Sequence, residues 1–125
     1  MAGGTEGVLI VEDEHAVRLL TRRILERAGY RVFDAPNPMV AEAAFDEQAG
    51  QISLLVTDVI MPGSSGPALF GRLSARQPDL KVLYVSGYTD DTIAHQGHLA
   101  PGVEFLQKPF TAQLLNRRVR EILDR

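Results

Sequence analysis

The sequence predicts an α/β fold, a doubly wound (βα)5 sandwich whose parallel sheet is covered by helices on both faces. Short apolar runs recur at regular intervals, segments with a helical period lie between them, and turn residues fall where one pattern gives way to the other. Strands that alternate with helices in this way imply right-handed crossovers and a parallel sheet. With 125 residues, 45% of them apolar and 23% charged, the chain has the size and composition of one domain with a real core.

Met1 to Gly7 is small, polar and Gly-rich and reads as a flexible tail or linker, so the folded domain is expected over 8–125. Val8 to Val11 is an uninterrupted apolar run, the pattern of a strand buried on both faces. The first helix follows, with Val17, Leu20, Ile24 and Ala28 on one stripe and Gly29 at a C-cap position. Arg31 to Ala35 is a weaker second strand. Asn37 can cap the second helix and Pro38 suits its first position; Val40, Ala44, Phe45 and Gln48 then lie on one side before Gly50. Ile52 to Thr57 is the third strand. The third helix runs from about Pro67 to Gln77, turns Leu69, Phe70 and Leu73 inward and is stopped by Pro78. Val82 to Ser86 is the fourth strand. The fourth helix, Thr89 to His95, offers only Ile93 and Ala94 before Gly97 and Pro101-Gly102, and is expected to be short and easily frayed. Val103 to Leu106 is the fifth strand, and the last helix starts after Thr111 and carries Leu115, Val119 and Ile122.

Composition removes several functions. Thirteen Lys plus Arg against sixteen Asp plus Glu leave a net charge of -3, which gives no electrostatic footprint for nucleic acid or an anionic membrane. With no cysteine there is no disulfide framework, thiolate metal site or thiol nucleophile. The apolar runs are too short to span a membrane and the first residues lack the pattern of a signal peptide, so a soluble, cytoplasmic protein is expected. There is no Gly-x-x-x-x-Gly-Lys-Ser/Thr and no Gly-x-Gly-x-x-Gly, so nucleotide binding lacks its main support.

In a doubly wound sheet, ligands bind at the carboxyl ends of the strands. Here the first strand ends in Glu12 and Asp13 and the third in Asp58, which brings three carboxylates to one edge. Taken singly, such an acid is explained by solvation or by capping the next helix; three together repel and call for protonation, a basic partner or a hard cation. The fourth strand ends in Ser86-Gly87 and the fifth is followed by Lys108-Pro109, so a hydroxyl and an ammonium reach the same edge. Acids, a lysine and a hydroxyl together describe a phosphoryl-binding site, and the acids could supply oxygen ligands for Mg²⁺. His15, His95 and His98 have no metal-ligand spacing and read as surface residues, while Met39, Met61 and the phenylalanines read as packing.

Four stretches carry a family resemblance: Val8 to Glu14 (VLIVEDE), Leu54 to Gly66 (LLVTDVIMPGSSG), Val85 to Tyr88 (VSGY) and Phe105 to Phe110 (FLQKPF). In order and spacing they resemble the receiver domain of two-component response regulators, most like the receivers of hybrid sensor histidine kinases. The resemblance implies a flavodoxin-like sheet in order 2-1-3-4-5. It implies that Asp58 takes a phosphoryl group from a phosphohistidine, with Lys108 and Ser86 beside it, in a phosphorelay with a histidine kinase or histidine phosphotransfer domain. Mg²⁺ would be held by Asp13 and Asp58, by the backbone carbonyl of Ile60, and by Glu12 through water. Pro109 suggests a cis peptide after Lys108. Ser86 and Phe105 are the expected switch, Phe105 standing where tyrosine is common. Ile60 and Tyr88 are bulky where the family's hydrolytic water passes, which implies slow loss of the phosphoryl group. The expected protein is not an enzyme in its own right and is a monomer with no direct nucleic-acid or membrane contact.

Other readings fit less well. A phosphatase of the haloacid dehalogenase type needs a second acid two residues after its nucleophile, where Ile60 stands. A flavin module on this fold needs a Ser/Thr/Gly phosphate loop after the first strand, where Glu12-Asp13-Glu14 would repel phosphate. A receiver-like interaction module that works without phosphorylation stays open as the alternative.

Overall fold

The structure, a computed structural model, describes residues 3–61, 63–87 and 104–125. Five parallel strands, β1 (Gly7–Val11), β2 (Arg31–Ala35), β3 (Ile52–Asp58), β6 (Lys81–Ser86) and β7 (Phe105–Gln107), form one sheet in order β2-β1-β3-β6-β7. A separate two-stranded antiparallel hairpin, β4 (Ile60–Met61) with β5 (Ser64–Ser65), follows β3. With that hairpin set aside, the order is the expected 2-1-3-4-5. The helices are α1 (His15–Arg27), α2 (Pro38–Glu47), α3 (Gly66–Arg76) and a C-terminal helix (Ala112–Leu123). The fourth helix expected at Thr89 to His95, Tyr88, and the start of the fifth strand at Val103 lie outside the described residues. No described helix is long and apolar enough to cross a membrane.

Side chains alternate across a strand, and β1 shows what that does to packing. Val8 and Ile10 join one core with Leu25 of α1 and Leu115, Val119 and Ile122 of the C-terminal helix. Leu9 and Val11 join the other, with Ala41 and Phe45 of α2 and Leu69 and Leu73 of α3. An all-apolar strand is therefore the signature of a sheet with two cores. Leu54 and Leu83 are wholly buried, and replacing such a leucine with alanine typically costs about 2–5 kcal/mol.

Register sets the site. Val11 is level with Ala35 and Thr57, and Asp58 is level with Val85, so β1, β3 and β6 finish on one line.

Asn37 caps α2 as expected, accepting from a first-turn amide at 2.9 Å, and Ser65 and Thr111 cap α3 and the C-terminal helix in the same way at 3.2 and 3.0 Å. Helix rotation differs from the sequence pattern. Ile24 and Ala28 of α1 and Ala44 and Phe45 of α2 pack against the cores as expected, but Thr21 and Leu25, and Pro38 and Ala41, are also buried, while Leu20 and Val40 are exposed. Large apolar residues at the edge of a stripe weigh in a sequence pattern as much as smaller ones at its centre, which turns the reading by part of a turn. Met61 packs in the core as expected, whereas Met39 is exposed.

The lead-in also differs. Gly7 already belongs to β1, and Gly3, Gly4 and Glu6 before it are held against the fold. The Gly4 amide donates to the Ala28 carbonyl (3.1 Å), Arg120 donates to the Gly3 carbonyl (2.9 Å), and Glu6 pairs with Arg120 at 2.6 Å. These partners are remote in sequence, and a local composition of small residues does not reveal them.

Candidate functional site

The apolar run of β1 gives way to Glu12, Asp13 and Glu14 before α1 begins. Glu14 occupies the N-cap of α1 without a capping side-chain bond; Glu12 supplies one from two residues upstream, its Oε2 accepting from the Glu14 amide at 3.1 Å. Glu12 is thereby buried at the strand end, while Asp13 is exposed. Arg18, one turn into α1, donates to the Glu12 carbonyl at 2.8 Å.

Asp58 is the last residue of β3 and is buried. The chain then turns through the small hairpin, where Gly63 has φ +80, a conformation glycine adopts without a steric penalty. Gly66 starts α3 against the Asp58 carbonyl, so close that a Cβ there would lie 2.2 Å from that oxygen. The Val59 carbonyl accepts from the Gly66 amide at 2.7 Å. Bonded pairs alternate along an antiparallel ladder, so Ile60, opposite Ser65, turns its carbonyl out of the hairpin. The Ile60 side chain is exposed.

Ser86 ends β6, and Lys108 follows β7 with its amide donating to the Ser86 carbonyl at 2.7 Å. The Lys108-Pro109 peptide is cis, as expected. The Lys108 ammonium lies 2.6 Å from Glu12 Oε1 and 2.8 Å from Asp58 Oδ1, bridging the two strand ends. Carboxylate oxygens of Glu12, Asp13 and Asp58 lie within 4.8 Å of one another. The Ser86 hydroxyl is buried with no hydrogen-bond partner among the described residues. Phe105, in register with Tyr84, is half-buried, and its carbonyl accepts from Arg118 at 2.9 Å.

Burial, and then the neighbouring Glu12 carboxylate, push the Asp58 pKa up to about 8 against the pull of Lys108. Burial would raise Glu12 too, but its hydrogen bonds with Asp58 and Lys108 outweigh that and hold it below the usual carboxylate range. Burial opposes the charge on Lys108, and the two acids restore it, leaving its pKa raised. The two neighbouring acids are thus pushed in opposite directions, Asp58 up and Glu12 down. Three clustered acids, two of them sharing one ammonium, offer the oxygen ligands that a hard divalent cation prefers. The orphaned Ser86 hydroxyl supports a further oxygen-rich guest, because a buried hydroxyl without a partner costs about 1–3 kcal/mol.

Every residue singled out from the sequence at these strand ends is therefore on the same edge. Sequence reasoning missed Arg18. Its one signal was Asp34, an acid within β2 that needs a partner, and Arg18 lies 3.3 Å from it.

Residues 8–120 match the response regulator receiver domain family. The chain is 38% identical over 122 residues to the sensor kinase CckA of Brucella abortus, covering 98% of this chain and 13% of that protein. It is 29% identical to the response regulator receiver protein CpdR of the same organism, covering 93% of this chain and 95% of that one. The crystal structure of the receiver domain from the hybrid histidine kinase CckA superposes with a TM-score of 0.78 at 35% identity, covering 94% of this chain and 98% of that one. A receiver domain protein from Clostridium thermocellum superposes with a TM-score of 0.84 at 26% identity, covering 95% of this chain and 94% of that one. The chain belongs to the response regulator receiver domain family, and its two-component likeness includes the receiver of a hybrid kinase.

Proposed function

We propose that Asp58 is the phosphoacceptor of a phosphorelay, taking a phosphoryl group from a phosphohistidine on a histidine kinase or histidine phosphotransfer domain. The observation that carries this reading is Lys108 bridging Glu12 and Asp58 at 2.6 and 2.8 Å beside the unpartnered hydroxyl of Ser86.

A carboxylate oxygen of Asp58 attacks phosphorus, the phosphorus–nitrogen bond to the histidine breaks, and its electron pair stays on the imidazole, which takes up a proton. Such transfer depends on position and on neutralising charge on the equatorial oxygens rather than on covalent activation. The Lys108 ammonium and the Ser86 hydroxyl are donors for two of those oxygens. Asp13, Asp58 and the Ile60 carbonyl would hold Mg²⁺, which when bound neutralises phosphoryl charge. Both oxygens of Glu12 already accept hydrogen bonds, from Lys108 and the Glu14 amide, which supports an outer place for it, through water. The chain is a stoichiometric participant in its own modification.

The same groups make the switch. Ser86 gains a hydrogen-bond acceptor when the phosphoryl group arrives, and rotation toward it opens space behind for the half-buried Phe105 ring. The chemistry is tested by treating the protein with acetyl phosphate and Mg²⁺, reducing with borohydride, and mapping peptides. Reduction of an aspartyl phosphate gives homoserine, expected at position 58 and nowhere else. No reduced product, or one at another carboxylate, contradicts the assignment.

A further inference from the structure

We propose that Arg18 is a positioning residue for the exposed acid Asp13, acting through the backbone; this rests on the reading of the acidic edge as a Mg²⁺ site. Asp13 differs from the other two acids. Glu12 and Asp58 are buried and tied to Lys108, whereas Asp13 is exposed and its carboxylate has no hydrogen bond or ion pair with any described residue. Its place is set by the peptide that carries it.

Glu12, the residue that leads into that peptide, is held at both its amide and its carbonyl. The Glu12 amide donates to the Ala35 carbonyl at the end of β2 (3.1 Å), and the Glu12 carbonyl, one bond from the Asp13 nitrogen, accepts from Arg18 Nη1 at 2.8 Å. The guanidinium is itself fixed: Nη2 lies 3.0 Å from His15 Nδ1 and Nε lies 3.3 Å from an Asp34 carboxylate oxygen. A planar fork that meets three partners from three nitrogens has one orientation, a constraint a lysine cannot reproduce. Asp34 has a second role. A cation near a divalent-metal site would repel the metal, and Asp34 neutralises Arg18 while also pairing with Arg22 at 2.5 Å. Arg22 reaches Asp34 and Glu26 but makes no bond to Glu12, which makes it the natural control.

The test follows Mg²⁺ binding by amide NMR shifts at the acidic edge in wild type, Arg18→Met, Arg18→Lys and Arg22→Met, with melting curves to confirm folding. Removing a group that orients a metal ligand typically costs 10–100-fold in affinity, so Arg18→Met should weaken Mg²⁺ binding by about tenfold. Arg18→Lys should lose about threefold or more, because one ammonium cannot hold both the Glu12 carbonyl and Asp34. Arg22→Met should stay near wild type. Wild-type affinity in a folded Arg18→Met, or an equal loss in Arg22→Met, overturns the clamp while leaving the metal site intact. Should Arg18→Met not fold, wild-type affinity in Arg18→Lys overturns it instead. A wild type whose amides do not respond to Mg²⁺ overturns the metal site itself and the clamp with it.

Discussion

The two ends of the sheet both place a basic side chain between two acids, with opposite outcomes. At the amino-terminal edge Arg120 pairs with Glu6 at 2.6 Å and Asp124 at 2.9 Å. At the carboxyl edge Lys108 pairs with Glu12 and Asp58 at similar distances. Hydrogen bonding to Arg120 pulls Glu6 down to about 2, whereas burial pushes Asp58 up to about 8. Distance and stoichiometry do not separate the two. Solvent and mutual contact do: the Glu6 and Asp124 side chains are 31% and 64% exposed, against 5% and 7% for Glu12 and Asp58. A guanidinium also offers its acids separate donors. In the dry pair, two acids share one ammonium and lean on each other. One edge is a finished staple, and the other is the acidic cluster at which a further cation is proposed to bind.

The largest expected effect separates the edges directly. Lys108→Met leaves two buried acids without a cation and should cost about 3 kcal/mol in metal-free urea unfolding. Arg120→Met removes an accessible pair and should cost about 1 kcal/mol. Equal losses would mean that burial is not what distinguishes them. Next in size is the response to metal. At a hundredfold excess of Mg²⁺ over its dissociation constant, melting should show about 2.7 kcal/mol of added stability. Asp13→Asn should lose most of that gain and Arg120→Met none of it; a gain that survives Asp13→Asn would place the metal elsewhere.

The smallest effect is at the amino-terminal edge and concerns pH. The folded pKa of Glu6 is lowered from 4.5 to about 2, so the stability it contributes is present above pH 4.5 and is lost as pH falls from there through about 2. Acid unfolding curves over that window should flatten in Arg120→Met. An unchanged slope would show that the pair does not set the acid response.

Much of this was legible in the chain. The apolar runs gave five strands, most clearly where a central strand such as β1 or β3 is buried along its length, and the strand ends located Glu12, Asp58, Ser86 and Lys108 because a doubly wound sheet gathers them at one edge. What escaped was long-range or rotational. Glu6 and Arg120 are 114 residues apart, and no local pattern joins them. The period places Leu20 and Val40 on the inward stripes, yet both are exposed, and the packed faces turn toward Leu25 in α1 and toward Ala41 beside the expected Phe45 in α2. The hairpin of Ile60 to Ser65 is too short for alternation to announce, and its register turns the Ile60 carbonyl out of the hairpin. Arg18 reads in sequence as one more charge on an outer helix face, and only the fold shows that face meeting the Glu12 carbonyl.

The most direct test of the carboxyl edge is intact mass after incubation with acetyl phosphate, with Mg²⁺ or with EDTA. The wild type should gain the mass of one phosphoryl group only when Mg²⁺ is present, and Asp58→Asn should gain none. A wild type that gains nothing with Mg²⁺, or an Asp58→Asn protein that gains the same mass, would contradict the account.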